Sequence, residues 1–421
     1  MAGLLRAVLS GLALAGLALL AGPAQAQSLY AWTQYVPGGL EARAITRQAQ
    51  CPQARIDGRT SPMRIRAERN AAFPVLVCAL TIPRGAKALE VEGEALPLPK
   101  ARADHILVLG DTGCRVTRLV NQSCNDPADW PFAAGAKAQA GTAPDVIVHV
   151  GDMFYREKPC RPFNAGCADT PSGDNWAAWE SDFFAPAKPL LRAAPLVLVR
   201  GNHEICARGG KGWSRLLDPY PLVSTSGCLS PGAPFAVDLG GLTLVVMDVS
   251  AASDGSWRDN QLARYRAQFQ SLGKLAPEGP IWLTMHRPIR GAAAATLGLV
   301  VGPNNLLARA SDGAMPDRVS AILSGHIHTF HALGFETLPV QIVSGHSGAD
   351  LHWTAPDDVK GLVMEEATVI SGRGRSSVHG FVTLAREGAG GEAWRIENRD
   401  FSGKQLDLCR MAKRKLDCEP Q

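Results

Sequence analysis

From residue 104 onward the chain is built of short apolar runs, most of which break off at a glycine or a polar side chain. They read HILVLGD, DVIVHVGD, PLVLVRGNHE, LTLVVMD, PIWLTMH, VSAILSGHIH, VQIVSGH and HGFVTLA. Strands this continuously apolar belong to sheets covered on both faces. Between them lie NWAAWESDFF and DNQLARYRAQFQSL, the second with Leu262, Tyr265, Phe269 and Leu272 at helical spacing. The pattern is α/β, and in such folds functional groups collect on loops outside the carboxyl ends of the strands.

Residues 27–100 read differently. ARAIT, MRIRAE, FPVLVCALTI and ALEVEG are short β-like runs punctuated by proline, with no helical period. They predict a small sandwich-like β domain. LPLPKARAD is the linker into a second domain over 101–421, which ends in a C-terminal β extension. Ahead of both, Arg6, the apolar stretch AVLSGLALAGLALLAG and Ala24-Gln25-Ala26 predict a secretory signal peptide over 1–26. No later run is long and apolar enough to span a bilayer, so the expectation is an exported protein, periplasmic or secreted, without stable membrane insertion.

All 10 cysteines follow the cleavage point, as expected of a disulfide-bearing exported protein. Proximity suggests Cys51–Cys78, Cys114–Cys124, Cys160–Cys167, Cys206–Cys228 and Cys409–Cys418, although spacing alone does not determine connectivity. No C-x-x-C occurs, which removes zinc-ribbon and thioredoxin readings. A net charge of +4 over 421 residues is small; it leans towards anionic substrates and does not suggest nucleic-acid binding, which usually needs a concentrated basic face.

The strand-end rule selects one set: Asp111, Asp152, Asn202, His286, His326 and His328 each follow an apolar run directly or one glycine beyond it. Carboxylates, a carboxamide and imidazoles are metal ligands, and six exceed what one metal needs. A dinuclear site with one bridging carboxylate uses them economically. Such sites hold two metals about 3.5–4 Å apart and clamp the entering and leaving oxygens of a displacement. Taken singly, Asp111 could be a turn residue and Asn202 a helix cap.

GDTG, GDMFY, GNHE, LTMH and GHIH resemble the five ordered motifs of calcineurin-like metallophosphoesterases. The branch they resemble most is the purple acid phosphatases, with D-x-G, G-D-x-x-Y, G-N-H-D/E, V-x-x-H and G-H-x-H. The resemblance covers about residues 104–350 and implies a four-layer α/β/β/α sandwich, here preceded by the small N-terminal β domain. It implies Asp111, Tyr155 and His328 on one metal, Asn202, His286 and His326 on the other, and Asp152 as the bridge. It implies His203 as general acid or electrostatic stabiliser outside the metal shell; Glu204, its neighbour in GNHE, could orient it.

Tyr155 either packs against Phe154 or Trp176 in a loop or is a ligand, and as a ligand it points to the metal. A phenol, with an ordinary pKa near 10, is a poor ligand for Zn²⁺ or Mg²⁺, whereas Fe³⁺ would deprotonate and hold it. The expected centre is therefore Fe(III) with a divalent Fe, Zn or Mn. The expected activity is hydrolysis of small phosphomonoesters by attack of a metal-bound hydroxide on phosphorus. Rival readings are a phosphodiesterase of the same superfamily with other divalent metals, and a non-catalytic exported binding protein retaining the fold. Arg287 either meets substrate phosphate or is solvated. His346 and His352, in SGHSGADLH, either lie near the site, where His346 could contact substrate, or are loop histidines. His149, inside an apolar run, reads as a core histidine, and Cys114 as a disulfide partner rather than a nucleophile. The run after GHIH is TFHA, where many relatives place an aromatic and then acidic and basic residues.

Overall fold

A computed structural model describes residues 29–118, 121–223, 227–295, 298–301, 305–352, 357–388 and 393–419. The expected signal peptide over 1–26 lies outside the described residues.

Two sheets pack face to face. The strands His105–Leu109, Val146–His149 and Leu196–Leu198 run parallel in the middle of an eleven-stranded sheet. A seven-stranded sheet carries Thr243–Val246, Ile281–Thr284, Val319–Ser324 and Val340–Ser344 as parallel neighbours. Alternation along each strand divides its side chains between two cores. Val108, Val148 and Val197 meet Trp282, Leu323 and Ile342 between the sheets. Leu107, Ile147 and Leu198 face the opposite way, onto Phe132, Trp179, Phe183 and Leu190 of the flanking helical segments. Leu283 and Ile322 face Tyr265, Phe269 and Leu272 of the helix Asp259–Leu275. Burial on both faces is why these strands read as unbroken apolar runs, and the layers are α/β/β/α.

NWAAWESDFF is helical, with an irregularity. Asn175 accepts a hydrogen bond from the Ala178 N–H and so starts the helix Trp176–Trp179, which continues as a wider π-helical turn over Glu180–Phe184. That turn carries the buried carboxylate Asp182. Such turns are frequent where a helix serves a site.

The N-terminal region is β-rich, but the expected separation near residue 100 is corrected. Tyr30–Val36 pairs in parallel with Leu196–Leu198, so Tyr30–Val36, Gly39–Thr46, Leu76–Ile82 and Arg64–Ala67 extend the first sheet. Only Gln53–Ile56, Arg59–Pro62, Leu89–Val91 and Glu94–Ala95 form a small sheet of their own. Buried Arg43 and neighbouring Arg66 lock this junction by donating to the carbonyls of Ser214, Leu216, Asp218 and Tyr220. At the other side Gly380–Glu387 pairs with His105–Leu109, and Ala393–Asp400, Gln405–Ala412 and Lys415–Cys418 complete the sheet. The disulfides join Cys51–Cys78, Cys114–Cys124, Cys160–Cys167, Cys206–Cys228 and Cys409–Cys418. No described helix is long and apolar enough to cross a membrane.

Candidate metal centre

The carboxyl ends of five central strands deliver the site. Asp111 follows His105–Leu109, Asp152 follows Val146–His149, Asn202 follows Leu196–Leu198, His286 follows Ile281–Thr284, and His326 and His328 follow Val319–Ser324. The turns are tight enough to force backbone strain. Asp111, Asp152 and His326 have φ of 56°, 55° and 68°, a region side chains other than glycine seldom occupy. Strain of this kind persists where surrounding structure imposes it, and it clusters at functional sites.

Two groups of ligand atoms result. The Tyr155 Oη lies 3.0 Å from Asp111 Oδ1, 2.9 Å from Asp152 Oδ2 and 2.8 Å from His328 Nε2. His286 Nε2 lies 3.0 Å from both Asn202 Oδ1 and Asp152 Oδ2. Asp152, His286 and His326 bring ligand atoms within 4.8 Å of one another. Asp152 belongs to both groups, which is the position of a bridge.

The hydrogen-bond chemistry of this set calls for cations. Tyr155 has one O–H hydrogen, yet two carboxylates converge on its oxygen. His286 Nδ1 donates to the Val150 carbonyl at 2.8 Å and His328 Nδ1 to the Asp350 carbonyl at 2.6 Å. Each ring therefore turns Nε2, its ligating nitrogen, towards oxygen acceptors, an arrangement second-shell carbonyls enforce around metals. Burial, then Asp111 and Asp152, hold the Tyr155 phenol well above its ordinary range. Burial opposes charge on His286, but Asp152 outweighs it and pushes the ring up to about 9. A proton on His286 thus occupies the place a metal would take. The residues fit two metals, one on Asp111, Tyr155, His328 and Asp152, the other on Asn202, His286, His326 and Asp152.

His203 lies beside these groups but differently from expectation. Its ring centroid is 3.9 Å from that of Tyr155, and its backbone N–H donates to Asp152 Oδ1 at 2.8 Å. The carboxylate at its ring is Glu157, with Oε1 2.6 Å from His203 Nδ1 and 2.5 Å from Arg208 Nε. The orienting role expected of Glu204 is corrected. Glu204 is fully buried and accepts from the backbone N–H groups of Asp152, Met153, Phe154 and Gly201 at 2.8–3.0 Å. It fastens the GDMF turn to the GNHE turn. Asp182 does the same elsewhere, accepting from the backbone of Cys114, Tyr155 and Arg156 and from Arg156 Nε. The sequence pattern held no signal for Glu157 or Asp182, since each works through contacts distant in the chain or set by loop shape.

The remaining candidates divide. Arg287 reaches the site edge, pairing with Asp254, and its Nη1 is 2.9 Å from His326 Nε2. Asp254, which sequence reasoning missed, lies 3.0 Å from the same nitrogen. His346 as a substrate contact is corrected: the ring is fully buried, with Nε2 2.9 Å from Asn398 Oδ1. His149 is a buried core histidine, 2.9 Å from Thr112 Oγ1. His352 stacks on His328 with centroids 4.7 Å apart.

Residues 104–330 match the family model described as calcineurin-like phosphoesterase. Purple acid phosphatase PPD1 from yellow lupin (Lupinus luteus) seeds superposes with a TM-score of 0.61 at 13% identity, over 92% of this chain and 74% of that one. PhoD superposes with a TM-score of 0.55 at 10% identity, over 93% of this chain and 92% of that one. At these identities the likeness concerns the fold. A search of curated proteins found no match. With the family model covering over half its length, and the motif residues gathered at the strand ends, the chain belongs to the calcineurin-like phosphoesterases.

Proposed function

We propose that this protein is an exported phosphatase that uses two metals to hydrolyse small phosphomonoesters. The observation that carries the reading is the convergence of Asp111, Asp152 and His328 on the Tyr155 hydroxyl. A phenol buried among carboxylates is a ligand set for a hard trivalent ion, so the centre is assigned as Fe(III) with a divalent Fe, Zn or Mn. Bound metals would activate water and neutralise charge on phosphoryl oxygens.

The chain's own residues supply the rest. Asp111, Tyr155 and His328 hold one ion, Asn202, His286 and His326 the other, and Asp152 lies between them. His203, its ring held between Glu157 at Nδ1 and the Arg208 guanidinium 3.0 Å from Nε2, stabilises or protonates the leaving-group oxygen. Arg287 lies at the rim beside His326, where phosphate oxygens would enter. The five disulfides suit an oxidising compartment, in keeping with export.

The test compares p-nitrophenyl phosphate with its bis-ester on metal-loaded protein. Faster turnover of the monoester is expected. A preference for the bis-ester would replace this reading with a phosphodiesterase, and absence of turnover on both would end it.

A further inference from the structure

We propose that His352 Nε2 donates a hydrogen bond to an oxygen of the bound phosphate group, making His352 a substrate-binding residue beside the first metal site. The proposal rests on the phosphatase reading above and adds a residue that no motif contains.

The segment 350–352 grips His328 at three points. The Asp350 carbonyl accepts from His328 Nδ1 at 2.6 Å, the His352 N–H donates to the His328 carbonyl at 2.9 Å, and His352 Nδ1 accepts from the His328 N–H at 3.3 Å. The two rings stack nearly parallel, 9° apart with centroids separated by 4.7 Å. Arg115 anchors the segment from outside through both oxygens of Asp350, each at 3.2 Å.

This geometry determines the hydrogens on His352. A backbone N–H can only donate, so Nδ1 of His352 is an acceptor and carries no hydrogen. In the neutral ring the hydrogen is therefore on Nε2. The polarity is the reverse of that in His286 and His328, where Nδ1 donates to a carbonyl and Nε2 is the nitrogen turned towards the candidate ligand groups. Two rings are thus set as ligands and the third as a donor.

Among the described residues no protein group accepts from His352 Nε2, and the residue is half-buried. It lies one stacking distance from a ring whose own Nε2 is 2.8 Å from Tyr155 Oη. A donor at that place, beside a site for cations, matches the oxygen-rich surface of a tetrahedral oxoanion. A hydrogen bond to a charged acceptor is worth more than one to a neutral acceptor, enough to alter affinity about tenfold.

The alternative is that His352 merely supports His328. Two variants separate the roles. His352→Phe keeps a flat ring for the stack and removes both the Nε2 donor and the Nδ1 acceptor of the His328 N–H; His352→Gln removes the ring and restores an N–H and an acceptor. Binding of inorganic phosphate to the metal-loaded protein is measured by calorimetry, with metal content and the KM and kcat for p-nitrophenyl phosphate alongside. The expected result is full metal content in His352→Phe, phosphate affinity and KM each weakened about tenfold with kcat little changed, and partial recovery in His352→Gln. Unchanged phosphate affinity in His352→Phe would overturn the proposal, as would loss of metal in that variant. Failure of the phosphatase reading shows separately, as wild-type protein that binds phosphate without turnover.

Discussion

Glu157 Oε1 lies 2.6 Å from Nδ1 of His203, so the carboxylate at the imidazole beside the candidate ligands stands five residues beyond Asp152 and is not its own neighbour Glu204. Glu157→Gln is expected to lower kcat about 10–100-fold, with KM and metal content nearly unchanged, because the proton donor loses its aim. Glu204→Gln turns an amide towards four backbone donors and is expected to cost about 3 kcal/mol of stability. Steady-state kinetics and thermal unfolding of the two variants check the division; a stable Glu204→Gln protein with reduced kcat would reverse it.

Tyr155→Phe removes the oxygen on which Asp111, Asp152 and His328 converge. If that oxygen binds Fe(III), the iron-loaded wild-type protein absorbs in the visible through phenolate-to-iron charge transfer, and the variant does not. An unchanged visible spectrum in Tyr155→Phe would remove Tyr155 from the ligand set.

Gly201 faces the Asp152 carboxylate so closely that a Cβ there would overlap Oδ1 and crowd the Asp152 backbone nitrogen. Gly201→Ala must therefore displace the carboxylate shared by both ligand groups. Metal analysis of the folded variant is expected to show loss of metal and at least a hundredfold loss of turnover. Full metal occupancy would mean that Asp152 is not the bridge.

His331 is fully buried in the strand Phe330–Gly334, and neither ring nitrogen has a hydrogen-bond partner among the described residues. Burial, then the nearby His346, lowers its pKa from 6.5 to about 4. The unfolded chain binds this proton more readily, so the contribution to stability is complete above pH 6.5. It is lost as pH falls from 6.5 through 4, by about 3 kcal/mol in all. His331→Leu leaves no polar group unpaired and is expected to lose less stability than wild type over that interval. Chemical denaturation at pH 7.5, 5.5 and 4 reads this out; parallel losses in both proteins would contradict it.

Much of the candidate set was legible because most of its members sit in a local pattern. An apolar strand, a glycine and a donor side chain are contiguous, and the glycine is required where a neighbouring ligand approaches. Gly151, at φ 106°, would place a Cβ 2.6 Å from His286 Nδ1. The helix Asp259–Leu275 was legible for the same reason, its apolar stripe being periodic. The break expected near residue 100 was not real, because strand pairing between Gln34 and Leu196 joins segments no local pattern connects. His346 followed an apolar strand like His286 and His326, but its ring turns to Asn398 in the interior.

The sequence by itself determined the α/β class, the order of the strands' polar endings and the chemical identity of the candidate ligand groups, since these depend on side-chain type and short-range periodicity. Only the tertiary structure decided which carboxylate serves His203, that Glu204 and Asp182 fasten loops, and that the N-terminal strands continue the main sheet. Those outcomes rest on hydrogen bonds between groups far apart in the chain or aimed by irregular loops. Their geometry exists only once the two sheets have packed.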